Sequence, residues 1–143
     1  FMLGMMYREG DKVPKNETEA ANWLSKAAGK GHPDAQNILG VLYANGDGVV
    51  ADQSEAIKWY RKAANQGHSA SQFNLGDKFC YGEGTPEDYV SAYAWYYVAD
   101  LNGFPNAQRT INLIAEEMSK PEIRQAKELV KEMMNKNPKL LNK

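Results

Sequence analysis

The sequence predicts an all-α fold of stacked helix-turn-helix units, 36 residues each, and three observations lead there. The first is a period. Leu3-Gly4, Leu39-Gly40 and Leu75-Gly76 recur at that interval, and Ile111-Asn112 continues it in weakened form. Tyr7, Tyr43 and Phe79 keep the same register, as do Gly10, Gly46 and Gly82, and Gly31, Gly67 and Gly103. All three tryptophans, Trp23, Trp59 and Trp95, fall on one equivalent position. A fixed period of this length marks a repeat architecture whose units bury their apolar faces against one another. The second observation is apolar spacing of three and four residues within each unit. The third is that helix start and stop residues bracket those segments.

The second unit shows the elements in order. Its first helix, 33–45, places Ala35, Ile38, Leu39, Leu42 and Tyr43 on one face. Gly40 inside that helix costs about 1 kcal/mol relative to Ala, so a closely approaching partner helix is expected there, met by the small Ala56, Ala63 and Ala64. Asn45-Gly46-Asp47-Gly48-Val49 supplies two glycines able to turn the chain at positive φ. Asp52, with Glu55 three residues on, has the spacing of a capping box at the start of the second helix, and Asn16 with Glu19 copies it. Ala56, Trp59, Tyr60, Ala63 and Ala64 form the stripe that follows, ending at Gly67, and the three tryptophans are expected to be equally buried. In the first unit Lys12 stands where the second turn glycine belongs, so that turn is expected to differ.

The fourth unit keeps Ala107 and Ile111 but loses the glycine turn and the tryptophan. Ser119-Lys120-Pro121-Glu122 opens a last helix with inner face Ile123, Ala126, Val130, Met133 and Met134. A repeat stack needs such an atypical end to close its core with a polar face. The expected organisation is therefore a single domain over 1–143, with units at about 1–34, 35–70 and 71–106, a capping helix pair over 107–135, and a tail over 136–143 that frays around Pro138.

Composition narrows function mainly by exclusion. Apolar residues make up 43% and charged residues 24%, which rules out wholesale disorder. A net charge of -1 gives no overall attraction for nucleic acid or anionic lipid, and neither nucleic acid nor membrane insertion is expected. Charge is nonetheless uneven: residues 118–143 hold seven Lys/Arg against three Glu, a local +4, leaving -5 on 1–117. Cations near the end of a last helix suit its dipole; a basic docking patch is the other reading. The chain starts at Phe1 in mid-pattern, so the natural N-terminus is expected to have been lost or cleaved, and cytoplasmic and exported locations both stay open.

No motif for catalysis stands out. The Gly46-Asp47-Gly48 and Gly82-Glu83-Gly84 loops lack the strand and the Gly-Lys-Ser/Thr that a phosphate loop needs, and their recurrence marks them as turns. His32 and His68 occupy equivalent positions after helix-ending glycines, without a third metal ligand nearby. Cys80 has no histidine placed by sequence to activate it, His68 being the one imidazole to check. Neither enzyme activity nor a cofactor is expected.

Leu-Gly-x-x-Tyr-x-x-Gly-x-Gly-Val followed by Ala-x-x-Trp-x-x-x-Ala-Ala-x-x-Gly resembles the Sel-one-like repeat, a relative of the tetratricopeptide repeat. The second unit carries it almost completely as Leu39, Gly40, Tyr43, Gly46, Gly48, Val49, Ala56, Trp59, Ala63, Ala64 and Gly67. The third unit has Phe79, Thr85 and Asp100 as departures. The resemblance implies a right-handed α/α superhelix whose concave face, lined by first helices, binds partner proteins, and an adaptor role among mostly bacterial members. First-helix positions two before and two after the Leu, and the next turn, should face that groove. The expected partner-binding residues are Met5, Asn37, Val41, Asn45, Phe73, Asp77, Tyr81, Arg109 and Leu113, in a monomer. A groove for a small ligand or cell-wall fragment is the alternative, and it would need a closed pocket with convergent polar groups.

Overall fold

The computed structural model describes residues 1–142, and among these the regular structure is helical throughout. The chain divides into two compact units, Phe1–Ala63 and the residues from Ala64 onward.

The first unit holds α1 (Met2–Glu9), α2 (Glu17–Gly29), α3 (Pro33–Asn45) and nearly all of α4 (Gln53–Ala64). Its core is Ala20, Ala21, Leu24, Ala28, Ala35, Leu39 and Leu42, with Met5, Tyr7, Ile38, Tyr43 and Trp59 packed at its edge. The glycine of the Leu-Gly pair lets two helices meet. A Cβ on Gly40 would lie 2.6 Å from Cε1 of Tyr60, whose side chain is buried. The close contact is thus made by an aromatic ring rather than by the alanines expected from sequence, which lie at other positions of α4.

The turns repeat as faithfully as the helices. Asn16 N–H donates to Tyr7 O at 2.8 Å, and Asp52 N–H donates to Tyr43 O at 2.9 Å. The same bond recurs in the second unit from Asp88 N–H to Phe79 O at 2.8 Å. The turn of the first repeat does not differ as expected: Lys12 adopts φ +66°, next to the +73° of the equivalent Gly48. A non-glycine residue has been forced into the left-handed region, where its Cβ crowds the backbone. Gly48 itself packs against the backbone of Glu17 and Thr18, leaving no room for a side chain.

The second unit holds α5 (Ser69–Tyr81), α6 (Tyr89–Leu101), α7 (Ala107–Ala115), α8 (Lys120–Lys136) and a 3₁₀ turn, Pro138–Leu140. Helix α6 packs against α5, α7 and α8, and is apolar on most sides: Tyr93, Trp95, Tyr96 and Val98 are all buried. A Cβ on Gly76 would meet Cδ1 of Tyr96 at 2.7 Å, repeating the Gly40–Tyr60 contact.

Two further expectations are corrected. The tryptophans are not equally buried. Trp95 is 6% exposed, whereas Trp23 and Trp59 are half-buried, with Lys26 and Lys62 ammonium groups 4.4 and 4.5 Å from their ring centroids. A lysine three residues on supplies a cation over the ring in the first two repeats; the equivalent of those lysines in α6 is Val98, and the helix there is enclosed.

The tail does not fray; Lys143 lies outside the described residues, but 137–142 are seated. Leu140 is 2% exposed, and its carbonyl accepts from Gln72 Nε2 at 2.9 Å and from Asn102 Nδ2 at 2.7 Å. Asn137 Nδ2 donates to Asn65 O and Asn142 Nδ2 to Gly67 O, at 2.8 and 3.2 Å. Pro138 does end α8, but it starts a 3₁₀ turn that turns Leu140 inward.

Candidate partner-binding site

Four of the residues expected in the groove come together in the second unit. Phe73, Asp77 and Tyr81, one turn apart along α5, and Leu113 of α7 line a single open cleft of about 440 Å³. Cys80, Tyr89 and Tyr96 complete one side, and Thr110, Ile114 and Glu117 the other. The helices supply these side chains by their 3.6-residue period: 73, 77, 80 and 81 share one face of α5, and 110, 113, 114 and 117 one face of the α7 segment.

Exposure differs along the walls. Tyr81 is 69% and Leu113 58% exposed, large apolar surfaces left to solvent. Phe73 is half-buried, its ring stacked on Phe104 at 4.7 Å and tilted against Tyr96 at 4.9 Å. Asp77 accepts from the Tyr96 hydroxyl at 2.6 Å. Burial raises the Asp77 pKa above the ordinary carboxylate value, partly offset by that hydrogen bond and by the charge of Lys78. Burial and the same bond push the Tyr96 hydroxyl far above the ordinary phenol range, so it stays a donor. The charged groups on the cleft walls are the carboxylates Asp77 and Glu117.

Cys80 is the one thiol on the cleft walls. Burial pushes the Cys80 thiol up, the reverse of what a thiolate nucleophile requires. His68 is occupied elsewhere: its Nδ1 caps α5, accepting from Ser71 N–H at 3.2 Å. His32 caps α3 in the same way, accepting from Ala35 N–H at 3.3 Å. The recurrence of the two histidines is a recurrence of helix N-caps. No group of three or more metal-ligating side chains forms among the described residues. No helix there is long and apolar enough to cross a membrane.

The remaining expected residues are placed differently. Arg109 is exposed on α7 and is not part of the cleft wall. In the first unit, Met5 packs against the core, Asn37 and Val41 are half-buried on α3, and Asn45 is exposed, with Nδ2 3.4 Å from Asp47 Oδ2. Sequence reasoning overlooked Tyr89 and Thr110 as walls, because they belong to a second helix and to a flank of α7 outside the first-helix stripe. It also overlooked Gln72 and Asn102, whose role depends on Leu140, 68 and 38 residues distant in sequence respectively.

Comparison with known proteins places the fold. The Sel1 repeat model matches residues 1–32, 33–68 and 69–99, so the chain belongs to the Sel1 repeat family, whose fold is the α-solenoid. Among solved structures it is similar to a protective antigen of uropathogenic Escherichia coli strains that displays an SLR fold, at 29% identity and a TM-score of 0.81 over 98% of this chain. It is also similar to a Sel1 repeat protein from Oxalobacter formigenes, at 38% identity and a TM-score of 0.75 over 78% of this chain. The chain spans 38% and 46% of the lengths of those two proteins. No curated protein matches the sequence. Sel1 repeats are in general modules of protein interaction.

Proposed function

We propose that this chain binds a partner protein or peptide through the α5–α7 cleft, as a non-catalytic adaptor. The observation that carries the reading is the convergence of Phe73, Asp77, Tyr81 and Leu113 on one cleft, two of them large apolar side chains left exposed. Aromatic and aliphatic surface of this kind is what a partner desolvates on binding, and Tyr is favoured at binding hot spots. Asp77 and Glu117 ask for a partner segment that brings Lys or Arg beside an apolar side chain. Asn37, Val41 and Asn45 on α3, Met5 on α1 and Arg109 on α7 are proposed as contacts outside this cleft, Arg109 meeting a partner carboxylate.

A photo-reactive phenylalanine analogue at position 81, expressed in the native organism, tests this. The expected result is a discrete cross-linked partner that disappears when Leu113→Glu is added. The same cross-linked species from an analogue at Lys58, exposed on α4, would argue against the cleft.

A further inference from the structure

A second groove lies between α6 and α8. Tyr97 and Leu101, one turn apart on α6, and Val130 and Met134 on α8 form the apolar floor of a groove of about 800 Å³. Arg124, Lys127 and Lys131 stand along the same groove with a single carboxylate, Glu128, which is paired to Lys131 at 3.3 Å. Arg124 and Lys127 are exposed. The residues from 118 on carry the chain's positive excess, and this groove is where part of it gathers beside apolar surface.

We propose that this groove docks an acidic amphipathic helix of a partner protein. The spacing decides the occupant. The cations sit at 124, 127 and 131, at three- and four-residue steps, so they form a row along α8 rather than a cluster at one mouth. A row matches successive carboxylates on a partner helix, whereas a single headgroup would satisfy only one end. From Arg124 to Met134 the groove wall extends about 15 Å, three turns of helix, enough for anchors at i, i+4 and i+7. Met134 offers an unbranched side chain that adjusts to different apolar anchors. The site is separate from the α5–α7 cleft, sharing none of its lining residues.

The test uses the full chain and a fluorescein-labelled helical peptide of about 16 residues, with Leu on one face and Glu on both flanks. Its control has every Glu replaced by Lys. Anisotropy should show saturable binding of the acidic peptide, weakened ~10-fold or more by 0.5 M salt and by R124E/K127E, with the control at least as weak. The Met134 methyl resonance should shift on binding, and Tyr81→Ala should leave the affinity unchanged. Because Arg124 and Lys127 are exposed, the double variant should melt as the parent does. No saturable binding up to ~1 mM would overturn the proposal, as would equal affinity for both peptides or unchanged affinity in R124E/K127E. So would a Met134 shift produced by dodecanoate or by phosphatidylserine vesicles but not by the acidic peptide.

Discussion

Lys12 shows how closely the fold holds each residue to the repeat. It takes a left-handed conformation that its neighbours in the pattern fill with glycine. That conformation costs a non-glycine residue about 1–2 kcal/mol, against which glycine's greater unfolded-state freedom must be set. Lys12→Gly should therefore raise stability by about 0.5–1 kcal/mol, read as a higher midpoint in urea. Gly76 and Gly29 make an opposed pair. Helix propensity alone favours Ala at both by up to about 1 kcal/mol. At Gly29 nothing lies within 4 Å of an added Cβ, so Gly29→Ala should stabilise. At Gly76 the Cβ would enter the ring of Tyr96, 1% exposed and held on every side, so Gly76→Ala should lose about 1–3 kcal/mol. The tryptophans divide likewise: Trp95→Ala should cost about 3–5 kcal/mol and Trp59→Ala clearly less, since only the first is enclosed. Asp77 gives a pH signature. Its folded pKa lies above its unfolded value, so the folded state holds the proton more tightly. Stability from this group is present below the unfolded pKa and falls as pH rises through the folded pKa. Asp77→Asn, which keeps an acceptor for Tyr96, should raise stability at neutral pH and flatten the profile on the acid side; thermal melts from pH 3 to 8 would show it.

At the scale of elements, the seated tail is the feature with most consequence. Leu140 is buried, and its carbonyl is held by two amide side chains, one of which, Gln72, is itself fully enclosed. Leu140→Ala should cost about 2–5 kcal/mol, and hydrogen exchange should quicken around Asn65–Gly67 and the start of α5. A tail-shortened chain ending at Lys136 with parental stability would contradict the packing described. The helices and their ends are legible in the sequence because propensity, capping and apolar spacing are local: Asn16, Asp52 and Ser119 each cap the helix they precede. The tail was illegible for the converse reason. Pro138 and the surrounding lysines and asparagines read as a solvated end, and nothing nearby in sequence shows that Gln72, Asn102 and Gly67 await them. The histidine caps were hidden similarly, since an imidazole accepting from a backbone N–H is an unusual helix start.

For the whole molecule, the proposed work is holding another protein, supported by a family of interaction modules and by the exposed Tyr81 and Leu113 on one cleft. That Phe73, Asp77, Tyr81 and Leu113 line one cleft follows from the repeat period, which places them at related positions of α5 and α7. Which of those positions stay exposed is not legible there: Met5 is half-buried against the core and Phe73 is half-enclosed by Phe104 and Tyr96, so Phe73→Ala would lower stability together with binding. Tyr81 and Leu113 are the cleaner probes. The most direct measurement is calorimetric titration of the partner captured through position 81 against the parent chain, Tyr81→Ala and Leu113→Ala. Each variant should melt as the parent does and bind about 1–3 kcal/mol more weakly. Parental affinity in both variants, with folding intact, would contradict the assignment of the α5–α7 cleft as the binding site.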